Sequence, residues 1–596
     1  MGLLHRVLAP ALTLLLAMGG ALAATPAQAA PAGAAFTGTY ENFFQHIGKS
    51  QAEVDQKVQD LYTAIYTENG PADQRIYYPV GSDMAYIQAT YEQDVRSEGM
   101  SYAMMVALQL GDRSRFDKLW KFAKTYMQCP NVNTDCGGRY DRLFIWHVDD
   151  VAPYRNFSLP GGEPEYTPAP DGDVYFATAL LMASARWGDG AGIFDYGSEA
   201  AFILDELKDT TDLQPGELSI FNPDNKLVRF IPTWVEGSGS LVDTSYQLPG
   251  FYEYWSRNDP STANRAYWNE AAGAARAYWR DVLDKAGNRG NGIFPDCTKQ
   301  DGGPLDQYSC ASGYKHGSDG WRTIQNVAFD HYWYAGDTDG HAPLAEQRAW
   351  ADQLLGFMRP RRASMQGEWY VDGTPASDWS GGAGQALMYA SAATVASDSA
   401  TRDDFLRLAW DQPVTTGEWR YYHSSLHMLG FLHLAGKYRA YDIGAPSTTT
   451  TVYADSLAPG WRAGSFGGSV DTAVSAPAYG GSGTSVGLTP GGPWDAVTFA
   501  PATALASAGI DEVVLRVHGG SSGTRQLQLM VNPATDGSGD WGTRVSLDAQ
   551  AGTWTEFRVP LANLGNPATI GTIALQDRSG QTPPVFYVDD VRLGRP

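Results

Sequence analysis

From Ser50 to Tyr438 the apolar positions recur with helical period, in long segments separated by Gly- and Pro-rich loops. Ser50-Gln51-Ala52-Glu53 reads as a capping box, and Val54, Val58, Leu61 and Ile65 follow it along one helix face. Similar amphipathic runs begin near residues 100, 114, 173, 196, 245, 261, 319, 342, 383, 401 and 421. With the first they make twelve predicted helices, or six αα-hairpins. Six hairpins closed into a ring bury one face of every helix and leave a loop-lined cleft at one end. The expected fold of residues 36–443 is therefore an all-α (α/α)6 barrel.

The pattern changes at Gly444-Ala445-Pro446-Ser447, and residues 444–451 read as a short linker. Beyond it the apolar positions alternate with period two, in Glu512–Val517, Gln526–Val531, Thr555–Val559 and Phe586–Val591. Gly, Asp and Asn turns separate these runs, so residues 452–596 should form an all-β, jelly-roll-like sandwich. At the other end, residues 1–30 carry Arg6, an apolar stretch from Val7 to Ala23, and Ala27-Gln28-Ala29. That order of charge, apolar core and small residues is that of a secretory signal, and a secreted, extracellular protein is expected. In an oxidising compartment the four cysteines read as two local disulfides, Cys129 with Cys136 and Cys297 with Cys310.

Composition narrows the partners. The 596 residues hold 43 Lys and Arg against 66 Asp and Glu, a net charge of −23. Such a chain repels phosphate backbones and anionic lipid, so neither nucleic acid nor a membrane is expected as partner. The 18 Trp and 32 Tyr, most of them needed in the core, suit a neutral polyhydroxylated ligand whose C–H faces stack on rings.

Two motifs can be set aside. Gly483-Thr484-Ser485-Val486-Gly487 has the spacing of a nucleophile elbow, which needs a strand before it and a helix after it, but it is expected in a Gly-rich loop of the sandwich. His423 and His427 share a helix face but lack the glutamate of a zinc-protease motif. What remains are carboxylates at helix starts: Glu98 in Ser97-Glu98-Gly99, Asp171 in Pro170-Asp171-Gly172, and Asp319 in Ser318-Asp319-Gly320. Capping and the helix dipole explain any one of them. Three at one end of a helical barrel suggest glycosidic cleavage, which needs a protonated carboxyl on the leaving oxygen and a second carboxylate opposite.

At these residues the chain resembles glycoside hydrolase family 8. The stretch Ala169-Pro170-Asp171-Gly172-Asp173, opening an Ala/Leu-rich helix that ends at Trp187, is similar to the family signature. Tyr78–Tyr86, Ser97–Tyr102, Leu119–Met127 and Asp243–Pro249 resemble one branch, the reducing-end xylose-releasing exo-oligoxylanases. The resemblance covers roughly residues 40–440. It implies an inverting hydrolase of β-1,4-linked xylo-oligosaccharides or xylan, monomeric, with no cofactor for catalysis. Glu98 would be the general acid, Asp319 the general base that activates water, and Asp171 the carboxylate that holds the sugar at the cleavage point. Tyr246 and Arg322 would position the base and its water, and Trp146 and Trp321 would stack on sugars. In that branch a loop, matched here by Tyr370–Trp379, shuts the cleft beyond the reducing-end sugar. Endo-acting xylanase, endoglucanase or chitosanase action is the alternative within the family. A sugar-binding protein without turnover is the alternative outside it.

The C-terminal half resembles carbohydrate-binding modules. Asp455 and Asp590 are similar to the paired strand ends that hold a structural Ca²⁺ in such modules. Trp461, Trp494, Trp541 and Trp554 are the candidate sugar platforms.

Overall fold

The computed structural model describes residues 33–594, apart from 137–139, 159–166, 211–212, 214, 233–239, 286–289, 306–309, 311, 338–342, 442–449, 480–482, 508–509, 511 and 566. The segment read as an export signal, and residues 444–449 of the expected linker, lie outside the described residues. A short helix α1 (Ala34–Thr37) precedes twelve others: α2 (Gln51–Tyr66), α3 (Ser97–Leu110), α4 (Arg113–Tyr126), α5 (Pro170–Trp187), α6 (Tyr196–Lys208), α7 (Pro249–Asn258), α8 (Arg265–Lys285), α9 (Ser318–Tyr334), α10 (Glu346–Met358), α11 (Gly382–Ser391), α12 (Ser399–Trp410) and α13 (Arg420–Leu434). Each of the twelve begins within four residues of the start that its periodicity predicts. The capping box before α2 is formed, with Ser50 and Glu53 each accepting from the other's backbone N–H.

The hydrophobic pattern sorts the helices into two layers. In α5 every residue from Pro170 to Ala183 is buried, and a helix that is apolar all round belongs in the middle of a domain. Helix α2 instead buries one stripe, Val54, Val58, Leu61, Tyr62, Ile65 and Tyr66, as an outer helix should. The odd-numbered helices α3, α5, α7, α9, α11 and α13 pack each on the next, and α13 returns to pack on α3. That last contact closes the (α/α)6 barrel. Most of the aromatic residues serve this core: Trp120, Trp255, Trp268, Trp279 and Trp333 are fully buried. Both expected disulfides are present, Cys129–Cys136 and Cys297–Cys310.

From Thr450 onward the described residues form two large antiparallel sheets around a separate apolar core, with a two-stranded pair, Leu505–Ala506 and Thr569–Ile570, beside them. One sheet runs Ser456–Leu457, Thr450–Ala454, Phe586–Gly594, Ser485–Thr489, Ser469–Val474, with Glu512–His518 and Trp554–Pro560 continuing from Phe586–Gly594. The other runs Trp461–Phe466, Ala496–Pro501, Thr572–Asp577, Thr524–Asn532, Val545–Gln550. All four strands expected from alternation are there, but the elbow-like motif is not all loop, since Ser485 begins the strand Ser485–Thr489 that pairs with Phe586–Gly594. Among the described residues no helix is long and apolar enough to cross a membrane.

Candidate active site

Four of the inner helices present a polar residue at their second position: Glu98 in α3, Asp171 in α5, Asp319 in α9 and Tyr421 in α13. All four meet at one end of the barrel, where the positive helix ends favour negative charge. Arg322, one turn into α9, gathers them. Its Nη1 donates to Glu98 Oε2 at 3.0 Å, to Asp171 Oδ2 at 3.0 Å and to the Tyr102 hydroxyl at 2.8 Å. Its Nη2 donates to Asp319 Oδ1 at 2.8 Å and lies 4.0 Å from Asp243 Oδ2. Tyr421 donates its hydroxyl to Glu98 Oε1 at 2.9 Å, and Tyr422 donates to the Ser318 carbonyl at 2.7 Å.

One guanidinium therefore faces several carboxylates in a dry setting, and their acidities respond. Burial pushes Glu98 above the usual carboxylate range, and the Asp319 charge adds to it, while Arg322 and the Tyr421 hydrogen bond pull the other way. Burial likewise pushes Asp171 up to about 7, against the pull of Arg322. Asp319 and Glu98 keep 18% and 19% of their side-chain surface, so both are reachable from the cleft, whereas Asp171 keeps only 3%. A reachable carboxyl whose acidity burial weakens, and a second reachable carboxyl tied to a different nitrogen of the same guanidinium, can supply an acid and a base.

Two further carboxylates escaped the reading of the sequence as site residues. Asp243 is fully buried, accepts from the Ser245 N–H and hydroxyl through Oδ1, and its Oδ2 has no hydrogen-bond partner among the described residues. Burial and then Asp319 raise it well above its ordinary value. Asp296 accepts N–H groups from Ser312, Gly317 and Gly320, so it caps the start of α9, and burial with Asp319 nearby pushes it up to about 7. Asp243 falls inside a stretch that the family resemblance covers. Nothing local marks Asp296, whose partners lie 16 to 24 residues away.

The cleft above these groups measures about 860 Å³ and is lined by Glu98, Asp319, Tyr91, Trp379, Trp419 and His423 among others. Tyr246 is buried, with its ring 5.7 Å from the Arg322 guanidinium. Of the two expected stacking residues, Trp321 stands in the cleft wall with 1% of its surface exposed and its indole N–H on the Gly367 carbonyl at 3.0 Å. The ring in front of it is Trp379, 44% exposed. Trp146 packs on the His147 ring and against the Arg96 guanidinium, outside the cleft lining. Sequence reasoning missed the stacked pair Tyr91 and Trp419, 53% and 56% exposed with centroids 4.3 Å apart, because it joins two distant loops.

The donor set in the sandwich does not fit a calcium ion. Asp590 forms ion pairs with Arg516 at 3.1 Å and with Arg592, so cations already occupy its carboxylate. Asp455 accepts from the Thr484 N–H at 3.2 Å. Among the described residues no group of three or more His, Cys, Asp or Glu could hold a metal.

The profile of "Glycosyl hydrolases family 8" matches residues 85–436. The chain is 34% identical to the reducing-end xylose-releasing exo-oligoxylanase Rex8A of Paenibacillus barcinonensis, over 69% of this chain and 98% of that one. It is 32% identical to the reducing end xylose-releasing exo-oligoxylanase of Halalkalibacterium halodurans, over 68% of this chain and 96% of that protein. The solved structure of Rex8A in complex with xylose superposes with a TM-score of 0.60 and 33% identity, covering 69% of this chain and all of the other.

Proposed function

The chain belongs to glycosyl hydrolases family 8, and from that premise we propose that it releases xylose from the reducing end of β-1,4-linked xylo-oligosaccharides. It is an inverting glycoside hydrolase that acts without a cofactor. In our reading Glu98 gives its proton to the leaving glycosidic oxygen as the C–O bond breaks. Asp319 takes a proton from the water that attacks the anomeric carbon from the opposite face. Asp171, held by Arg322 beneath Glu98 and Asp319, meets the sugar at the cleavage point only through the small part of its side chain left open, and Tyr246 lies beside the same guanidinium. The observation that carries this reading is the Arg322 fork, which joins an acid, a base and a sugar-holding carboxylate drawn from three inner helices.

The loop from Gly367 to Ser380 supports the exo assignment. Its strand Trp369–Tyr370 pairs with Lys315–His316, the Gly367 N–H bonds the Trp379 carbonyl at 2.7 Å, and the Trp379 ring stands at the cleft. A rigid aromatic wall there would limit how far a chain extends along the cleft. Xylohexaose labelled at its reducing end tests this. Early release of labelled xylose alone is the expected result, and a spread of labelled xylobiose and xylotriose would make the enzyme an endo-xylanase. Proton NMR of the fresh cut should show the α anomer at the new reducing end.

We also read the protein as exported, which the signal-like residues 1–30 and the two disulfides support, and the sandwich as a carbohydrate-binding module.

A further inference from the structure

The five-stranded sheet of the sandwich has one face on the core, through Val497, Phe499, Leu527, Leu529, Ile573 and Leu575. Its register places a single row across the other face: Phe466 opposite Ala496, Ala496 opposite Gln576, Gln576 opposite Gln528, and Gln528 opposite Ser546. The two glutamines are linked, Gln528 Nε2 donating to Gln576 Oε1 at 2.7 Å, and Gln576 Nε2 donates to the Trp494 carbonyl at 2.8 Å. At the Ala496 end stand Phe466, 39% exposed, and Trp494, 50% exposed and two residues before Ala496.

Trp494 is the telling residue. Its φ is +68°, a left-handed conformation that a bulky side chain adopts at a cost, and half of a large apolar ring faces water. Both features weaken the free protein. The loop nevertheless fixes the residue in place: Asp495 accepts the N–H groups of Gly491 and Gly492 at 2.6 and 2.9 Å, and its carbonyl accepts from Asp577 at 2.9 Å. Of the other candidate rings, Trp541 meets Phe466 edge-on with centroids 5.3 Å apart and borders the same end of the row, while the remaining two are used elsewhere. Trp461 packs on the core, Trp554 meets His518 and Tyr479 edge-on, and the exposed Tyr479 is covered by the Arg516 guanidinium 3.7 Å from its centroid.

On this basis, and resting on the reading of the sandwich as a carbohydrate-binding module, we propose that Trp494, Gln576 and Gln528 form its binding site for a β-1,4-linked xylan chain. The ring offers a flat apolar face to the C–H side of a sugar. The amides offer neutral donors and acceptors to hydroxyls, and the bordering charges, Arg578 and Asp548, neutralise each other at 2.7 Å. A neutral, flat, hydroxyl-rich chain matches that row, and the barrel of the same polypeptide cleaves glycosidic bonds.

The test uses the full chain carrying Glu98→Ala, so that bound xylan survives, and measures its retention on insoluble xylan. Trp494→Ala should lower retention at least tenfold, Gln576→Ala about threefold, and Tyr479→Ala not at all. Trp494→Phe should restore part of the binding, which separates loss of the ring from loss of fold. With Glu98 intact, Trp494→Ala should turn over xylotriose at the normal rate. Retention unchanged in Trp494→Ala would overturn this site while leaving the sandwich a sugar binder elsewhere. No retention of the parent chain on xylan, cellulose or chitosan would overturn both the site and the reading of the module.

Discussion

Arg322 is the charge on which the site depends, and replacing it with methionine tests the whole argument. The substitution keeps an unbranched side chain but removes four hydrogen bonds, to Glu98, Asp171, Tyr102 and Asp319. At 3.0 Å and an effective permittivity of about 20, a unit charge is worth at most ~5 kcal/mol to a carboxylate. Each carboxylate feels that attraction separately, so its loss is felt at all three and is not divided among them. Glu98 is already raised by burial, with Arg322 the main influence holding it down, so its proton should bind more tightly in the variant. The acid works only while protonated. The basic limb of kcat/KM against pH on xylotetraose should therefore move up. The turnover itself should fall by at least about 10³-fold, since Asp171 and Asp319 lose their anchor. Leaving buried carboxylates uncompensated should also cost about 3–5 kcal/mol in urea unfolding. A basic limb that stays in place or moves down, in a variant that still folds, would refute the assignment of Glu98 as an acid restrained by Arg322.

Four other outcomes are expected. Glu98→Gln and Asp319→Asn should each lose activity by about 10³-fold or more without loss of the far-ultraviolet helix signal, because neither side chain belongs to the core. Gly99→Ala should lower kcat about tenfold, since the added methyl would lie 2.4 Å from the Tyr421 ring and would push that hydroxyl off Glu98; xylotetraose kinetics report it. Trp379→Ala should change the products from labelled xylose to a mixture containing labelled xylobiose, read by chromatography of the labelled hexamer digest. Finally, burial pushes Asp171 and Asp296 up to about 7 in the folded chain, against an ordinary value of about 4 when unfolded, so the folded chain holds more protons between those values. Stability should therefore fall as pH rises from about 4 to 7, by a few kcal/mol, and the slope of urea midpoint against pH should flatten in Asp296→Asn.

The helices were legible because each carries its own signal. The stripe Val54, Val58, Leu61 and Ile65 sets α2 whatever surrounds it, and the near-continuous burial of α5 follows from a segment with few polar positions. The carboxylates Glu98, Asp171 and Asp319 were visible for the same local reason, as acids at helix starts. What the sequence could not show is what lies across the ring. The Tyr421 bond to Glu98 spans 323 residues, and Asp296 reaches α9 from outside any helix. How the aromatics are arranged around the cleft was out of reach for the same reason. A tryptophan next to a site in sequence, such as Trp321, can turn its edge into the wall, while Trp379, on a loop 58 residues later, takes the exposed position. The calcium expectation rested on Asp455 and Asp590, yet Arg516, from another strand, already neutralises Asp590.

The closure of the ring by α13 against α3 sets a time order for the enzyme. Glu98 is made early and its hydroxyl partner Tyr421 more than three hundred residues later, so a growing or nicked chain can hold the acid, the base and the sugar-binding carboxylate and still lack the assembled site. Contacts of such long sequence separation form slowly and last. Hydrolytic competence thus reports completion of the barrel: a polypeptide that has not docked its last helix should be silent toward glycans. Loss of activity during unfolding should precede loss of helix content.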